Sequence, residues 1–197
     1  HDKAVIDPAT LIPLYFDFPQ VQNGGVVFVP HWTSENTSLS LREQCIKADI
    51  EYVSPCGDSM SIVTKIASAS LVIAESMHAA IIADSFGIPW HAVSTGNVDF
   101  NKTKWDDWGD SVGEKVIYRS IFPFSQSLTL SRRVSRKFFG FPMELPHAVN
   151  KIAKDNIARS FVELKLRKGQ LSNRAILRRS QMRLCDILNS VLEDYFK

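Results

Sequence analysis

Ala69-Ser70-Leu71-Val72-Ile73-Ala74-Glu75-Ser76-Met77-His78, continuing through Ala79-Ala80-Ile81-Ile82-Ala83-Asp84-Ser85-Phe86-Gly87-Ile88-Pro89-Trp90, reads as strand, tight turn, helix, stop and the start of another strand. Ser70 to Ala74 is a short apolar run, the pattern of a strand buried on both faces. A helix follows at once, over about 76–86, halted by Gly87 and Pro89. Trp90-His91-Ala92-Val93 then forms the next strand.

Upstream the same alternation holds. Asn23-Gly24-Gly25 is a turn signal, and Val26-Val27-Phe28-Val29 after it reads as a buried strand. The spacing predicts a helix over 38–48 with Ser38 or Ser40 as its cap, then a strand over 50–53 ended by Ser54-Pro55. Asp58 is expected to cap a helix reaching about 68, with Ile62, Val63 and Ile66 on one face. Strands separated by helical segments imply βαβ units and a parallel sheet. The expected fold class is α/β, a Rossmann-like parallel sheet with flanking helices over 1–125. A basic helical C-terminal segment, 126–197, is expected to pack on it. Lys102 to Trp108 is polar and aromatic, Phe122-Pro123-Phe124 is a breaker, and helices are expected over about 127–139, 147–166 and 171–196.

The charge is divided along the chain. Residues 1–131 carry eight Lys+Arg against fifteen Asp+Glu, whereas residues 132–183 carry fourteen against three. An acidic part followed by a basic one implies different surroundings for each. Cys45, Cys56 and Cys185 are odd in number and far apart, so neither a disulfide framework nor a metal cluster is expected. No apolar run approaches the length of a membrane-spanning helix. No basic-then-apolar leader opens the chain, so a cytoplasmic setting is expected. The first residue is His1 and not Met, consistent with numbering that begins inside a longer protein.

Ligands of an open parallel sheet bind beyond the carboxyl ends of its strands. Pro30-His31-Trp32, Ser54-Pro55-Cys56-Gly57-Asp58 and Glu75-Ser76-Met77-His78 fall there. Backbone N–H groups at the start of the helix after Glu75 suit a phosphate or carboxylate, and His78 in that first turn suits proton transfer near neutral pH. The plainer alternatives are a packed strand-end histidine at 31 and simple helix capping by Glu75 and Ser76. No glycine-rich phosphate fingerprint accompanies them. The residues alone lead to a Rossmann-like domain with an anion site.

Four elements in order carry a resemblance: Asp7-Pro8-Ala9, Val29-Pro30-His31-Trp32, the stretch ASLVIAESMHAAIIADSFGIPW from Ala69 to Trp90, and Lys104-Trp105-Asp106-Asp107-Trp108. Together they resemble the C-terminal half of exopolysaccharide pyruvyl (ketal pyruvate) transferases, particularly the succinoglycan type, over about residues 5–110. The resemblance implies the C-terminal half of a GT-B-like fold, with a further Rossmann-like domain expected before Asp7 and the active site between the two. It implies phosphoenolpyruvate as donor, no metal or redox cofactor, and a lipid-linked oligosaccharide acceptor at the inner face of the plasma membrane. Related enzymes carry R-L-H where this chain has Ser76-Met77-His78, so His78 is the implied general acid/base. Ser76 in place of Arg leaves the anion contacts to the helix start, to His31, or to Lys102 or Lys104. Trp32, Glu75, Ser76 and Lys104 complete the expected substrate-binding set, with Trp105 and Trp108 either stacking on a sugar or plugging the sheet edge. The alternatives are a GT-B glycosyltransferase using a nucleotide sugar and a non-catalytic saccharide- or partner-binding half domain.

The basic segment leaves two readings open. One is a peripheral contact with anionic membrane, and the other is a solvated helical hairpin packed on the acidic domain. No nucleic-acid module accompanies the charge, so nucleic acid is not an expected partner. The residues say nothing of oligomeric state.

Overall fold

A computed structural model describes residues 6–18, 24–35, 37, 39–96, 101–121 and 147–196. The expected helix over 127–139, the Phe122-Pro123-Phe124 breaker and the cations Arg132, Arg133, Arg136 and Lys137 lie outside the described residues.

Five parallel strands form one sheet: β1 (Val26–Val29), β2 (Glu51–Tyr52), β3 (Leu71–Ala74), β4 (Trp90–Ser94) and β5 (Tyr118–Ser120), in the order β2-β1-β3-β4-β5. The α/β Rossmann-like expectation is therefore met. Every residue of β1 and β3 is buried, which is what an apolar run covered on both faces requires. Alternate residues face opposite layers. Val27, Val29, Val72, Ala74, Trp90 and Ala92 join one core, and Val26, Phe28, Leu71, Ile73 and Val93 join the other.

The helices divide between these two faces. On the first lie α3 (Ser59–Ala67), α4 (Met77–Ser85) and α5 (Lys102–Val112), with Leu177 from α7 (Arg174–Tyr195). On the second lie α2 (Leu41–Lys47) and α6 (His147–Leu166). The two long C-terminal helices thus flank opposite faces of the sheet and do not pair as a hairpin, one of the two readings left open for the basic segment. Apolar contact holds α6 in place: Ala153, Ile157, Phe161 and Leu164 are buried, with the Phe161 ring 4.8 Å from that of Phe28. Among the described residues the ion pairs between α6 and the acidic part are Lys165–Asp49 and, with reversed sign, Lys47–Asp155; both are exposed on at least one side and add little. Charge asymmetry does not dock this helix.

Asp58 caps α3 through Ser61 N, 2.8 Å, as expected. Ser40 stands at the N-cap of α2 in the left-handed region with no side-chain bond to the helix, and Ser38 lies outside the described residues. In α4 seven consecutive residues, Ala79 to Ser85, are buried. A short 3-10 turn, Pro8–Leu11, and the helical turn α1 (Ile12–Tyr15) lie over its outer side, and the small side chains of α4 allow that close packing.

α5 and β5 are among the elements that went unread in the sequence. α5 runs from its cap Asn101, whose Oδ1 accepts from Thr103 N at 3.0 Å, to Gly113, which takes the left-handed conformation (φ 69°) that ends the helix. The cap, the glycine and Trp105, Trp108 and Val112 at helical spacing were the available signals. β5 carries no apolar run, and only its pairing with β4 makes it a strand.

The connection between α6 and α7 stitches the sheet. Gln170 exchanges backbone bonds with Trp90 (3.0 and 2.8 Å), and its amide bonds Ile117 N and O (2.7 and 3.1 Å). Gly169 permits this approach: a Cβ there would stand 2.9 Å from Trp90 N and 2.8 Å from Pro89 Cβ. His91, buried on β4, donates from Nε2 towards Leu164 O and Arg167 O at 3.2 and 3.3 Å. Burial holds its pKa below the ordinary value, although the two carbonyls act the other way. The unfolded chain takes up this proton near pH 6.5 while the folded one resists it. Stability from His91 is therefore complete above about pH 6.5 and declines as pH falls towards the folded pKa. Urea midpoints should drop below that pH, and His91→Gln should flatten the decline; an unchanged profile in the variant would remove His91 as its source.

Candidate functional site

The strand order reverses direction between β1 and β3, the place where ligands of doubly wound sheets bind. At the carboxyl ends of these two strands opens a cleft of about 470 Å³. Its lining includes His31, Trp32, Pro55, Ser76, Met77, His78, Lys104 and Trp105. Segments predicted separately from the sequence therefore meet at one site.

Glu75, expected among the substrate-binding residues, is built into the wall. It is 2% exposed. Its Oε2 accepts from His31 N at 3.1 Å, and its Oε1 accepts from Thr95 N at 2.8 Å and Thr95 Oγ1 at 2.5 Å. One carboxylate thus ties the ends of β1, β3 and β4 together and gives the cleft a rigid floor. It does not cap the helix.

Ser76 occupies the N-cap position of α4 with extended backbone and makes no side-chain cap bond. Among the described residues the first-turn N–H groups consequently have no side-chain acceptor. His78 is exposed, and its Nε2 lies 3.6 Å from Asp7 Oδ2. The other Asp7 oxygen accepts from Ala9 N at 2.8 Å and caps the 3-10 turn. Capping therefore fixes the carboxylate that faces the histidine. Reading the sequence missed this partner, although Asp7-Pro8 is a helix-start signal.

His31 is half-buried, with Nδ1 2.8 Å from Thr33 Oγ1 and accepting from Thr33 N at 3.4 Å. Trp32 is 66% exposed at the cleft lip, 5.9 Å from the His31 ring. Lys104 is exposed on α5 and reaches the cleft lining. Lys102 instead lies over the Tyr118 ring, 5.0 Å from its centroid. Beyond β2, Glu35 accepts from the Ser54 hydroxyl. That bond, then Cys56, holds the Glu35 carboxyl below its usual range.

Trp105 and Trp108 are 3% and 5% exposed, with rings 6.2 and 5.1 Å from Trp90. Their bulk packs into the core over β4, and Trp105 also lines the cleft. Trp32 is the aromatic face open to a ligand.

Asp84 accounts for the spacing of the long motif. Fully buried, it accepts from Trp90 Nε1 at 3.0 Å and from Ser172 N and Oγ at 2.8 and 2.5 Å. The Arg174 guanidinium binds the Asp84 and Ser85 carbonyls. The first half of the motif builds the cleft, and its second half anchors the C-terminal helices.

Residues 6–97 match the family described as polysaccharide pyruvyl transferase. Over 122 residues the chain is 39% identical to the succinoglycan biosynthesis protein ExoV of Rhizobium meliloti (strain 1021). Both comparisons point this segment to the polysaccharide pyruvyl transferase family. The alignment with ExoV covers 60% of this chain and 36% of ExoV, so the chain spans about a third of its relative's length. No solved structure matches the chain. Within the pyruvyl transferase segment lie Asp7, His31, Glu75, Ser76, His78 and Asp84, whereas Lys104, Trp105 and Trp108 follow it.

Proposed function

We propose that this chain forms part of an enzyme that moves the enolpyruvyl group of phosphoenolpyruvate onto a sugar of a lipid-linked exopolysaccharide repeat, forming a pyruvate ketal. The observation that carries this reading is the uncapped start of α4, where His78 faces Asp7 and Lys104 lines the same cleft. The donor brings a phosphate and a carboxylate. Helix N–H groups and the Lys104 ammonium supply the matching donors. Protonated His78 gives its proton to the methylene carbon, making a methyl group and leaving positive charge at the enol carbon. One sugar hydroxyl adds there, phosphate leaves with its bridging oxygen, and a second hydroxyl closes the ketal. Of the two hydroxyl protons, one restores His78 and the other leaves with phosphate. No redox change occurs. Asp7 faces the imidazole and orients the ring.

Phosphoenolpyruvate at about ten times its Kd should add roughly 1.4 kcal/mol, a rise of about 3–6 °C in Tm. Lys104→Ala should shrink that rise, and a nucleotide sugar should produce none. A rise with the nucleotide sugar alone would favour a glycosyltransferase and end this reading.

A lipid-linked acceptor places the reaction at a membrane surface. Among the described residues no helix is long and apolar enough to cross a membrane. Arg178, Arg179 and Arg183 are exposed on α7, each worth about 1 kcal/mol near anionic lipid. Co-sedimentation with anionic vesicles is expected at low salt and should vanish at high salt. Protein left in the supernatant at low salt would remove the membrane part of the proposal.

A further inference from the structure

A second cavity, of about 570 Å³, adjoins the cleft and shares Met77 and Lys104 with it. One face of α5 supplies much of its wall: Lys104, Asp107, Trp108 and Ser111 stand at i, i+3, i+4 and i+7, with Asp110 beside them. Asp7 and Ile6 close the other side. The decisive detail is Trp108. Its side chain is buried, yet its Nε1–H has no hydrogen-bond partner among the described residues. A buried indole N–H ordinarily finds an acceptor, as that of Trp90 does in Asp84. The Ser111 hydroxyl is already given to Trp108 O at 2.6 Å.

The lining selects a chemistry. Three carboxylates (Asp7, Asp107 and Asp110) accept hydroxyl protons and repel an anion. Lys104 and the indole N–H donate to oxygens, which a simple cation does not offer. Met77 and Ile6 provide apolar surface for a C–H face. A neutral, polyhydroxylated ring meets all of these together. We propose that this cavity seats a neutral pyranose. On the pyruvyl-transfer reading of the adjoining cleft, on which this step rests, the ring is the sugar that accepts the pyruvyl group. The donor's negative charge is directed to the cleft and the acceptor to the acidic cavity. Asp7 is shared by that cavity and the His78 contact, which puts the ring's hydroxyls beside the proton-transferring side chain. The indole nitrogen is covered in the free protein, so its partner oxygen arrives as the surrounding side chains shift.

The test is a titration of the ¹⁵N-labelled chain with methyl β-D-glucopyranoside and methyl β-D-galactopyranoside, up to about 100 mM to cover the weak affinity of single sugars. The indole signals are followed, with Trp108 assigned through Trp108→Phe. A saturable shift of the Trp108 signal is expected with at least one glycoside, while Trp90 stays still. The Asp107→Asn/Asp110→Asn double variant should weaken it about tenfold. A Trp108 signal unmoved by both glycosides, or moved equally in the double variant, overturns the proposal. Phosphoenolpyruvate is titrated separately. If a glycoside moves Trp108 but phosphoenolpyruvate does not bind, the pyranose seat stands and the pyruvyl-transfer reading falls. If phosphoenolpyruvate binds and neither glycoside does, the seat falls and that reading stands.

Discussion

Asp84→Ala is expected to cost about 3–5 kcal/mol of stability, since removing one partner from a buried network leaves several groups unpaired at once. The carboxylate is fully buried and serves Trp90 Nε1, Ser172 N and Ser172 Oγ. Truncation strands all three donors in a fully buried setting. The damage extends beyond the site. Ser172 belongs to the connection that also carries Gln170 against Trp90 and Arg174 against the end of α4. Loosening it weakens the attachment of both C-terminal helices. Asp84→Asn keeps one acceptor oxygen and most of the shape, so its loss should be smaller. Urea unfolding of the three proteins measures this directly. An Asp84→Ala midpoint that matches the unmutated protein would show that the C-terminal helices are held by some other contact.

His78→Ala should lower phosphoenolpyruvate-dependent ketal formation by the full gene product at least about 100-fold, the usual loss on removing a general acid/base. Folding should be almost unaffected, because the side chain is 67% exposed and such positions usually change stability by less than about 0.5 kcal/mol. Binding of phosphoenolpyruvate should survive, since the helix N–H groups and Lys104 remain. A retained Tm rise combined with lost turnover separates a proton-transfer role from an anion-binding one. Asp7→Asn should show a milder loss, as it removes the charge facing the imidazole and leaves a cap for the 3-10 turn. Phosphate release and the mass of the product oligosaccharide read both variants. Undiminished activity in His78→Ala would leave the chain as a saccharide- or partner-binding module.

The elements most legible in the sequence were those whose signal is local. Four apolar residues after Gly25, or four before Glu75, must be buried on both faces wherever they go, so β1 and β3 were readable with nearly their observed limits. Asp58 announced α3, and Gly87 and Pro89 the end of α4, because capping and breaking act within a few residues. β5 had no such local mark, and α5 was overlooked because its charged and aromatic run drew attention to surface chemistry. For Trp105 and Trp108 the sequence left sugar stacking and plugging of the sheet edge both open, and their burial against Trp90 is visible only in the fold.

By itself, then, the sequence determined the layer class, the main strands and helices, and the segments that gather beyond the strand ends. The strand order, and with it the cleft between β1 and β3, was decided only by the tertiary structure. So were the withdrawal of Glu75 into the wall, the pairing of Asp7 with His78, and the placement of the last two helices on opposite faces. Each depends on partners remote in the chain: His31 and Glu75 are 44 residues apart, and Asp84 and Ser172 are 88. A carboxylate's role follows from which donors surround it and how much water remains. Folding brings those donors together and excludes that water, and neither is written in the residues next to it.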